Sequence, residues 1–518
     1  MNARVTPSFD PATAPSPLLV DVAIIGAGFG GLCMAIQLLK NGNDRFVVLE
    51  KAAEVGGTWR DNSYPGAACD VQSHMYSFSF AGKADWSQRY APWQEIQQYI
   101  LDTTDAYGLR RYIRPNCMVS GARFDKSTAL WTLDTAAGDV IRARHVVLAS
   151  GPLHVPSIPQ FKGMETFKGA LFHSAQWDHS VDLKGKKVIS IGTGGSAIQY
   201  CPEIAPEVEQ LTVMQRTPAW VIPRDTRKYP EWKKKLFARF PLIRKLHRAR
   251  LYWSNESRVW PIFNPAIARV LQNLAKLFIR YQVKDPEQVR RLTPDYVLGC
   301  KRILISNKWY PMFNRSNVEL VSEGVREIRE HSLVTSSGRE IEADCIILGT
   351  GFQVDPRLYM QDFPCSGLPG HELMDDWKDG AEAYLGISVH GYPNLHQLVG
   401  PNTALGHNSI IFMIEAQVHY ILEAMKAMDN RGADYLDVKP EAQARFNAKV
   451  QAAMKGTVWS SGCVSWYQQG DGKNFTIWPW STWRYWLATR QVPLADYSFH
   501  RREAQPEPHR QQKAVESA

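Results

Sequence analysis

The residues whose type and spacing point most directly to chemistry are two glycine turns, Gly26-Ala27-Gly28-Phe29-Gly30-Gly31 and Gly192-Thr193-Gly194-Gly195-Ser196-Ala197. A glycine turn between a strand and a helix lets the backbone approach a pyrophosphate, whose charge is met by free N–H groups and the positive helix end. The first turn needs Gly26, Gly28 and Gly31; the second has Gly192 and Gly194, with Ala197 in the third place. Glu50 lies 24 positions after Gly26, and Arg216 lies 24 positions after Gly192. An acid there hydrogen-bonds a ribose 2′-hydroxyl and repels a 2′-phosphate, whereas an arginine, here with Thr217 beside it, attracts the phosphate. The first site therefore suits FAD and the second NADPH over NADH.

The elements needed to position these residues are present in the pattern. Leu18 to Ile25 is a compact apolar run of strand type, Leu32 to Leu39 has helical spacing, and a second apolar run, Phe46 to Leu49, ends in Glu50. Lys187 to Ile191 repeats the strand, and a helix continues through Ile198 and Tyr200. Glycines also simply terminate strands; the strand, helix and terminal acid together make the motif specific. Two dinucleotides on one chain imply electron transfer from nicotinamide to flavin. Disulfide reductases share that plan, but their vicinal cysteines are absent, which leaves dioxygen as the expected acceptor.

At 518 residues, 44% apolar and 21% charged, the chain has the bulk properties of a folded enzyme with two or three domains. Its eight cysteines are far apart without a CxxC pair, so neither a zinc site nor a dithiol centre is expected, and buried reduced thiols are. No metal ligand set is assigned. The opening seventeen residues are rich in Pro and Ala without an apolar h-region, and no membrane span follows; a cytoplasmic protein is expected. Much of the +9 net charge falls in 222–258, where Arg224, Lys233, Lys234, Lys235, Arg244, Lys245, Arg248 and Arg250 alternate with Trp232, Phe237, Phe240, Leu242 and Tyr252. That pattern reads as the solvated basic face of an inserted helical segment rather than a membrane or nucleic-acid patch, since no nucleic-acid motif accompanies it.

Between the two glycine turns, Phe167-Lys168-Gly169-Ala170-Leu171-Phe172-His173-Ser174-Ala175-Gln176-Trp177-Asp178 matches the FxGxxxHxxxW(P/D) fingerprint of Baeyer-Villiger monooxygenases. Gly56-Gly57-Thr58-Trp59 through Tyr64-Pro65-Gly66-Ala67-Ala68-Cys69-Asp70 resembles the flavin-side loop of that family, with Arg60 and Asp61 where aromatic residues are common. Leu298 to Leu304 resembles its Lys-Arg segment, and Ile346 to Phe352 its ATG-type turn, with Gly349 replacing the usual alanine. Residues 384–411 resemble the return of the chain to the first dinucleotide domain.

The resemblance implies an α/β fold of two Rossmann-like dinucleotide-binding domains, for FAD and NADP, with a helical insertion. The expected division is a disordered leader (1–17), an FAD domain in two parts (18–152 and 356–498), an NADP domain (153–221 and 296–355), the insertion (222–295) and a polar tail (499–518). It also implies the activity: NADPH and O2 are used, through an oxygenated flavin C4a, to turn a ketone into an ester or lactone. By the same resemblance Arg302 is the catalytic cation and Asp70 its partner. Thr58, Trp59, Asp70 and Tyr76 contact the flavin, together with Phe29 of the first turn. Lys301 joins Arg216 and Thr217 at the 2′-phosphate, with Thr193 and Ser196 in the second turn. Trp466 forms a pocket wall, and His173 and Trp177 act as a hinge. A flavin-containing N- or S-oxygenase is the nearer alternative, and a non-enzymatic basic protein of membrane surfaces the distant one. The ketone's identity and the oligomeric state are left open.

Overall fold

The computed structural model describes residues 17–462 and 473–502. The first unit follows the apolar pattern closely. Leu18–Ile25 is a strand (β1), Phe29–Lys40 a helix (α1) and Phe46–Leu49 a strand (β2). The helix begins three residues before the expected Leu32, because Phe29 and the two glycines after it already form its first turn. Ile113–Arg114 (β3), Val119–Asp125 (β4), Leu130–Thr135 (β5) and Val140–Leu148 (β6) follow. They assemble in the order β4-β5-β6-β1-β2-β3. The short segments Cys365–Ser366 and Leu395–Gln397 return to pair with β4 and β6. Register aligns Ile25 with Leu49 on one side and with Leu148 on the other, so Gly26, Glu50 and Ala149 emerge together at one sheet edge.

The second unit is a five-stranded, wholly parallel sheet. Its strands are Ala170–His173 (β7), Lys187–Ile191 (β8), Gln210–Met214 (β9), Val318–Val321 (β10) and Cys345–Leu348 (β11). Their order is β10-β9-β8-β11-β7. Ile191 is level with Met214 and with Leu348, which brings Gly192, Gln215 and Gly349 to a common edge. The helix after β8, Ala197–Ile204 (α2), buries Ala197, Ile198, Tyr200, Cys201 and Ile204 against this sheet. Burying each large apolar side chain contributes about 1.5–3 kcal/mol. The first sheet is mixed, since β5 runs antiparallel to both β4 and β6, but β6, β1, β2 and β3 are parallel; with the second sheet they make the two-Rossmann α/β architecture, each parallel part opening at its strands' carboxyl ends.

Between β9 and β10 the chain forms helices, among them Glu231–Arg239 (α3), Pro241–Glu256 (α4) and Pro265–Gln282 (α5), the last two started by a proline in the first turn. The expectation of a solvated basic face holds for Lys235, Arg239, Lys245 and Arg250, which are exposed, but not all the apolar residues turn inward. In α4 it is Leu242, Leu246 and Trp253 that are exposed, while Arg248 lies inward, hydrogen-bonded to the His74 and Ser77 carbonyls. A periodic sequence does not reveal which stripe of a helix meets the core when the core itself offers polar partners.

Two further expectations are corrected. Six cysteines, Cys33, Cys69, Cys117, Cys201, Cys345 and Cys365, are free and buried, but Cys300 is disulfide-bonded. A disulfide requires proximity in space, which spacing along the chain does not report; the cysteine part of the argument for a cytoplasmic location falls with it. The polar tail drawn from 499 starts too early, because Tyr497–His500 is a strand paired antiparallel with Tyr435–Val438, and the His500 ring stacks on Tyr435 at 4.8 Å. Residues 1–16 and 503–518 lie outside the described residues. Among the described residues no helix is long and apolar enough to cross a membrane, and no cluster of three or more His, Cys, Asp or Glu could hold a metal ion.

Candidate active site

Both glycine turns line a single cleft of about 1410 Å³. Some of the glycines are required by the protein's own packing. A Cβ on Gly26, whose φ is +106°, would lie 2.7 Å from the Ala149 carbonyl oxygen, and one on Gly31 would lie 1.9 Å from the Gly26 oxygen. Gly28 and Gly194 differ. A Cβ on Gly28 would meet only Gly57 Cα, at 3.9 Å, and one on Gly194 would meet nothing within 4 Å. These two positions keep open the space before the N-termini of α1 and α2, where a pyrophosphate fits.

Glu50 is buried at the end of β2. Its carboxylate accepts from the N–H groups of Ala27 at 2.8 Å and Ala52 at 3.0 Å, and from Arg60 Nη1 at 3.0 Å. The acid is thus fixed to the first glycine turn itself. Arg60, one of the departures from the family pattern, ties the Gly56–Asp61 loop to Glu50 and Asp61; burial works against its charge, but the two carboxylates outweigh it. On the same loop Trp59 donates from Nε1 to the Tyr76 hydroxyl at 3.1 Å, and the Phe29 ring meets Tyr76 edge-on at 5.3 Å. Thr58, Trp59, Tyr76 and Phe29 all face the cleft.

In the second turn, Thr193 donates to the Thr217 carbonyl at 3.3 Å, and the Ser196 carbonyl accepts from Tyr200 N–H at 3.0 Å as α2 begins. Ala197 is fully buried beneath this turn. Arg216 follows β9 as Glu50 follows β2, and Lys301 stands beside it. The Lys301 ammonium lies 4.8 Å from the Tyr296 ring centroid, and both burial and the neighbouring Arg216 push its pKa down. Among the described residues neither cation forms an ion pair with a carboxylate. Two mutually repelling cations at the end of a glycine turn are matched by an anion.

Arg302 and Asp70 form an ion pair in the same cleft. Its position is set by a short parallel pairing of Val221–Ile222 with Leu304–Ile305, which anchors the Lys301–Arg302 segment beside the chain leaving β9. Asp70 has a second cationic neighbour that sequence reasoning did not single out. Arg224 donates to the carbonyls of Cys69 and Tyr90, both at 3.4 Å, with its guanidinium 5.3 Å from the Tyr90 ring centroid. Burial pushes the Asp70 carboxyl up, but Arg302, with help from Arg224, more than reverses this and holds it below the usual range. Arg224 was hidden in the sequence as one more member of a basic run.

The seam between the units is hydrogen-bonded through another residue that sequence reasoning missed, Gln199 of α2. Its amide oxygen accepts from the Tyr64 hydroxyl at 3.0 Å and Ala68 N–H at 3.3 Å, and its Nε2 donates to the Ala68 carbonyl at 3.0 Å. His173 and Trp177 lie outside the cleft lining. His173 is buried, its Nδ1 accepting from Ala175 N–H at 3.0 Å, and burial lowers its pKa; Trp177 packs edge-on to Phe172 at 5.2 Å. Trp466 lies outside the described residues.

Comparison with known proteins agrees with this geometry. The family model for flavin-binding monooxygenase-like proteins matches residues 20–280. A Baeyer-Villiger monooxygenase of Pseudomonas aeruginosa is 45% identical over 495 residues, covering 94% of this chain and 93% of the relative. One from Streptomyces coelicolor is 43% identical, covering 92% of each. Among solved structures, an oxidised steroid monooxygenase bound to NADP superimposes with a TM-score of 0.85 at 30% identity, covering 93% of this chain and 99% of that one. With two glycine turns, a carboxylate after one and an arginine after the other, and an Asp–Arg pair in their shared cleft, the chain belongs to the flavin-binding monooxygenases and, among them, to the Baeyer-Villiger monooxygenases.

Proposed function

We infer that this enzyme holds FAD in the first glycine turn and NADPH in the second, and inserts one oxygen atom of O2 beside a ketone carbonyl. The balance is ketone, O2, NADPH and one proton to ester or lactone, NADP+ and water. The observation that carries this reading is the Asp70–Arg302 pair in one cleft with both glycine turns. When bound, FAD takes the hydride from NADPH and activates dioxygen, chemistry that no side chain supplies.

The chain's own residues do the rest. Gly26, Gly28 and Gly31 admit the flavin pyrophosphate and Glu50 accepts from its ribose hydroxyls, with Phe29, Thr58, Trp59 and Tyr76 against the cofactor. Gly192, Gly194, Thr193, Ser196 and Ala197 form the nicotinamide-side turn, and Arg216, Thr217 and Lys301 hold the 2′-phosphate. Arg302 keeps its charge at any physiological pH. As oxygen enters, negative charge develops on the substrate carbonyl oxygen, and a preorganised cation there lowers the barrier by about 3–4 kcal/mol. Asp70 orients the guanidinium and, with Arg224 on its other side, remains ionised. His173, neutral and capped, acts with Trp177 as a positioning element between the units rather than as a proton donor.

Purified enzyme given NADPH, air and a panel of open-chain, cyclic and aryl ketones should oxidise NADPH faster with an accepted ketone and release the ester or lactone. Products confined to N-oxides or sulfoxides would assign the heteroatom chemistry instead.

A further inference from the structure

α4 exposes an apolar stripe to solvent. Leu242, Leu246, Ala249 and Trp253 stand at i, i+4, i+7 and i+11, one stripe of the helix about 17 Å long. All four are exposed, with Leu242 at 68%, Leu246 at 62% and Trp253 at 60%. The opposite stripe carries polar groups into the protein. Asn255 exchanges two hydrogen bonds with Gln72, at 2.9 and 3.0 Å, and Arg248 donates to the Ser77 carbonyl at 2.9 Å, beside the buried Leu251. Core packing therefore explains the buried face and leaves the apolar one without a role in the fold.

The stripe is flanked by the exposed Lys245 and Arg250. It also has a neighbour: Tyr252 hydrogen-bonds Thr482 at 2.9 Å, joining α4 to the helix Thr482–Ala488 (α6), whose Trp483, Trp486 and Leu487 are exposed as well. Residues 222–295 hold eighteen Lys or Arg against six Asp or Glu, a local excess of twelve in a chain whose total is nine. The rest of the molecule is therefore slightly acidic, and the excess positive charge is concentrated in the segment that carries the stripe.

We propose that this face seats the enzyme on an anionic lipid bilayer, with Leu242, Leu246 and Trp253 in the headgroup–acyl boundary and the surrounding lysines and arginines against lipid phosphates. An apolar stripe edged by basic residues, with tryptophans among them, is the composition of a helix lying in the plane of a membrane surface. A second copy of this chain is the wrong occupant, since it would set one strongly basic face against another. Nucleic acid would satisfy the charge and leave the leucines in water. The attachment is peripheral and gives the enzyme direct access to ketones that partition into lipid.

The test is co-sedimentation of the full-length FAD-loaded enzyme with vesicles of phosphatidylglycerol and phosphatidylcholine, or of phosphatidylcholine alone. Sedimentation velocity without lipid and a duplex DNA binding assay run in parallel. Binding is expected only with the anionic vesicles and should weaken as salt approaches about 1 M, where the screening length shrinks to about 3 Å. Leu246→Ser/Trp253→Ser should cut the bound fraction about tenfold while kcat/KM for a water-soluble ketone stays unchanged. Failure to bind anionic vesicles overturns the proposal, whether or not a dimer or a DNA complex is found in its place, as does equal binding by the variant.

Discussion

Arg302 ion-pairs with Asp70 across 232 residues of chain, joining the flavin-side loop of the first unit to the segment that follows the helical insertion. Because Arg302 and Arg224 outweigh the effect of burial, Asp70 is ionised in the folded protein at a lower pH than in the unfolded chain. Its contribution to stability is complete above the unfolded value of about 3.9 and is lost as pH falls through the lower folded value. Both partners are partly exposed, so Asp70→Asn should cost about 1 kcal/mol at neutral pH. Wild type and variant should converge once pH has fallen below that folded value; urea melts at neutral pH and in acid check this.

Burial and the neighbouring Arg216 lower the pKa of Lys301, and a 2′-phosphate between the two cations relieves their repulsion. Arg216→Ala should raise the KM for NADPH by about ten- to a hundredfold, the loss of roughly 1.4–2.8 kcal/mol, while the KM for NADH changes little. Lys301→Ala should act in the same direction. Steady-state kinetics with the two coenzymes separates a lost phosphate contact from a general disturbance, which would raise both constants.

Gly349 stands where the family usually has alanine, and the structure supplies the reason. A Cβ there would lie 2.7 Å from the Tyr200 hydroxyl, which is itself hydrogen-bonded to Ser190 at 2.7 Å. Gly349→Ala should therefore destabilise the protein by about 1–3 kcal/mol. Gly349→Ala/Tyr200→Phe should recover most of that loss, since the offending oxygen is gone. Thermal melts of the two single variants and the double variant measure the coupling.

The parts legible in the sequence were those encoded locally. β1, β2 and β8 begin and end at the residues the apolar runs indicated, and the opposite charges of Glu50 and Arg216 could be read by counting from each glycine turn. Long-range relations were not legible. Nothing near Gln199 signals that it will hydrogen-bond the Tyr64–Ala68 loop, because the pairing depends on how α2 meets the other unit. The Cys300 disulfide and Arg224's place beside Asp70 are likewise products of tertiary approach. The exposed apolar stripe of α4 escaped for a different reason: periodicity locates stripes on a helix, while the polar groups of Gln72, His74 and Ser77 decided which stripe went in.

The central claim, that Arg302 supplies the charge needed for oxygen transfer rather than for cofactor binding, is tested most directly by Arg302→Ala followed in two stages. Anaerobic mixing with NADPH should bleach the flavin at close to the wild-type rate. The same enzyme given air and ketone should yield at least about a hundredfold less ester per NADPH consumed. Ester formed at the wild-type rate and yield would contradict the account.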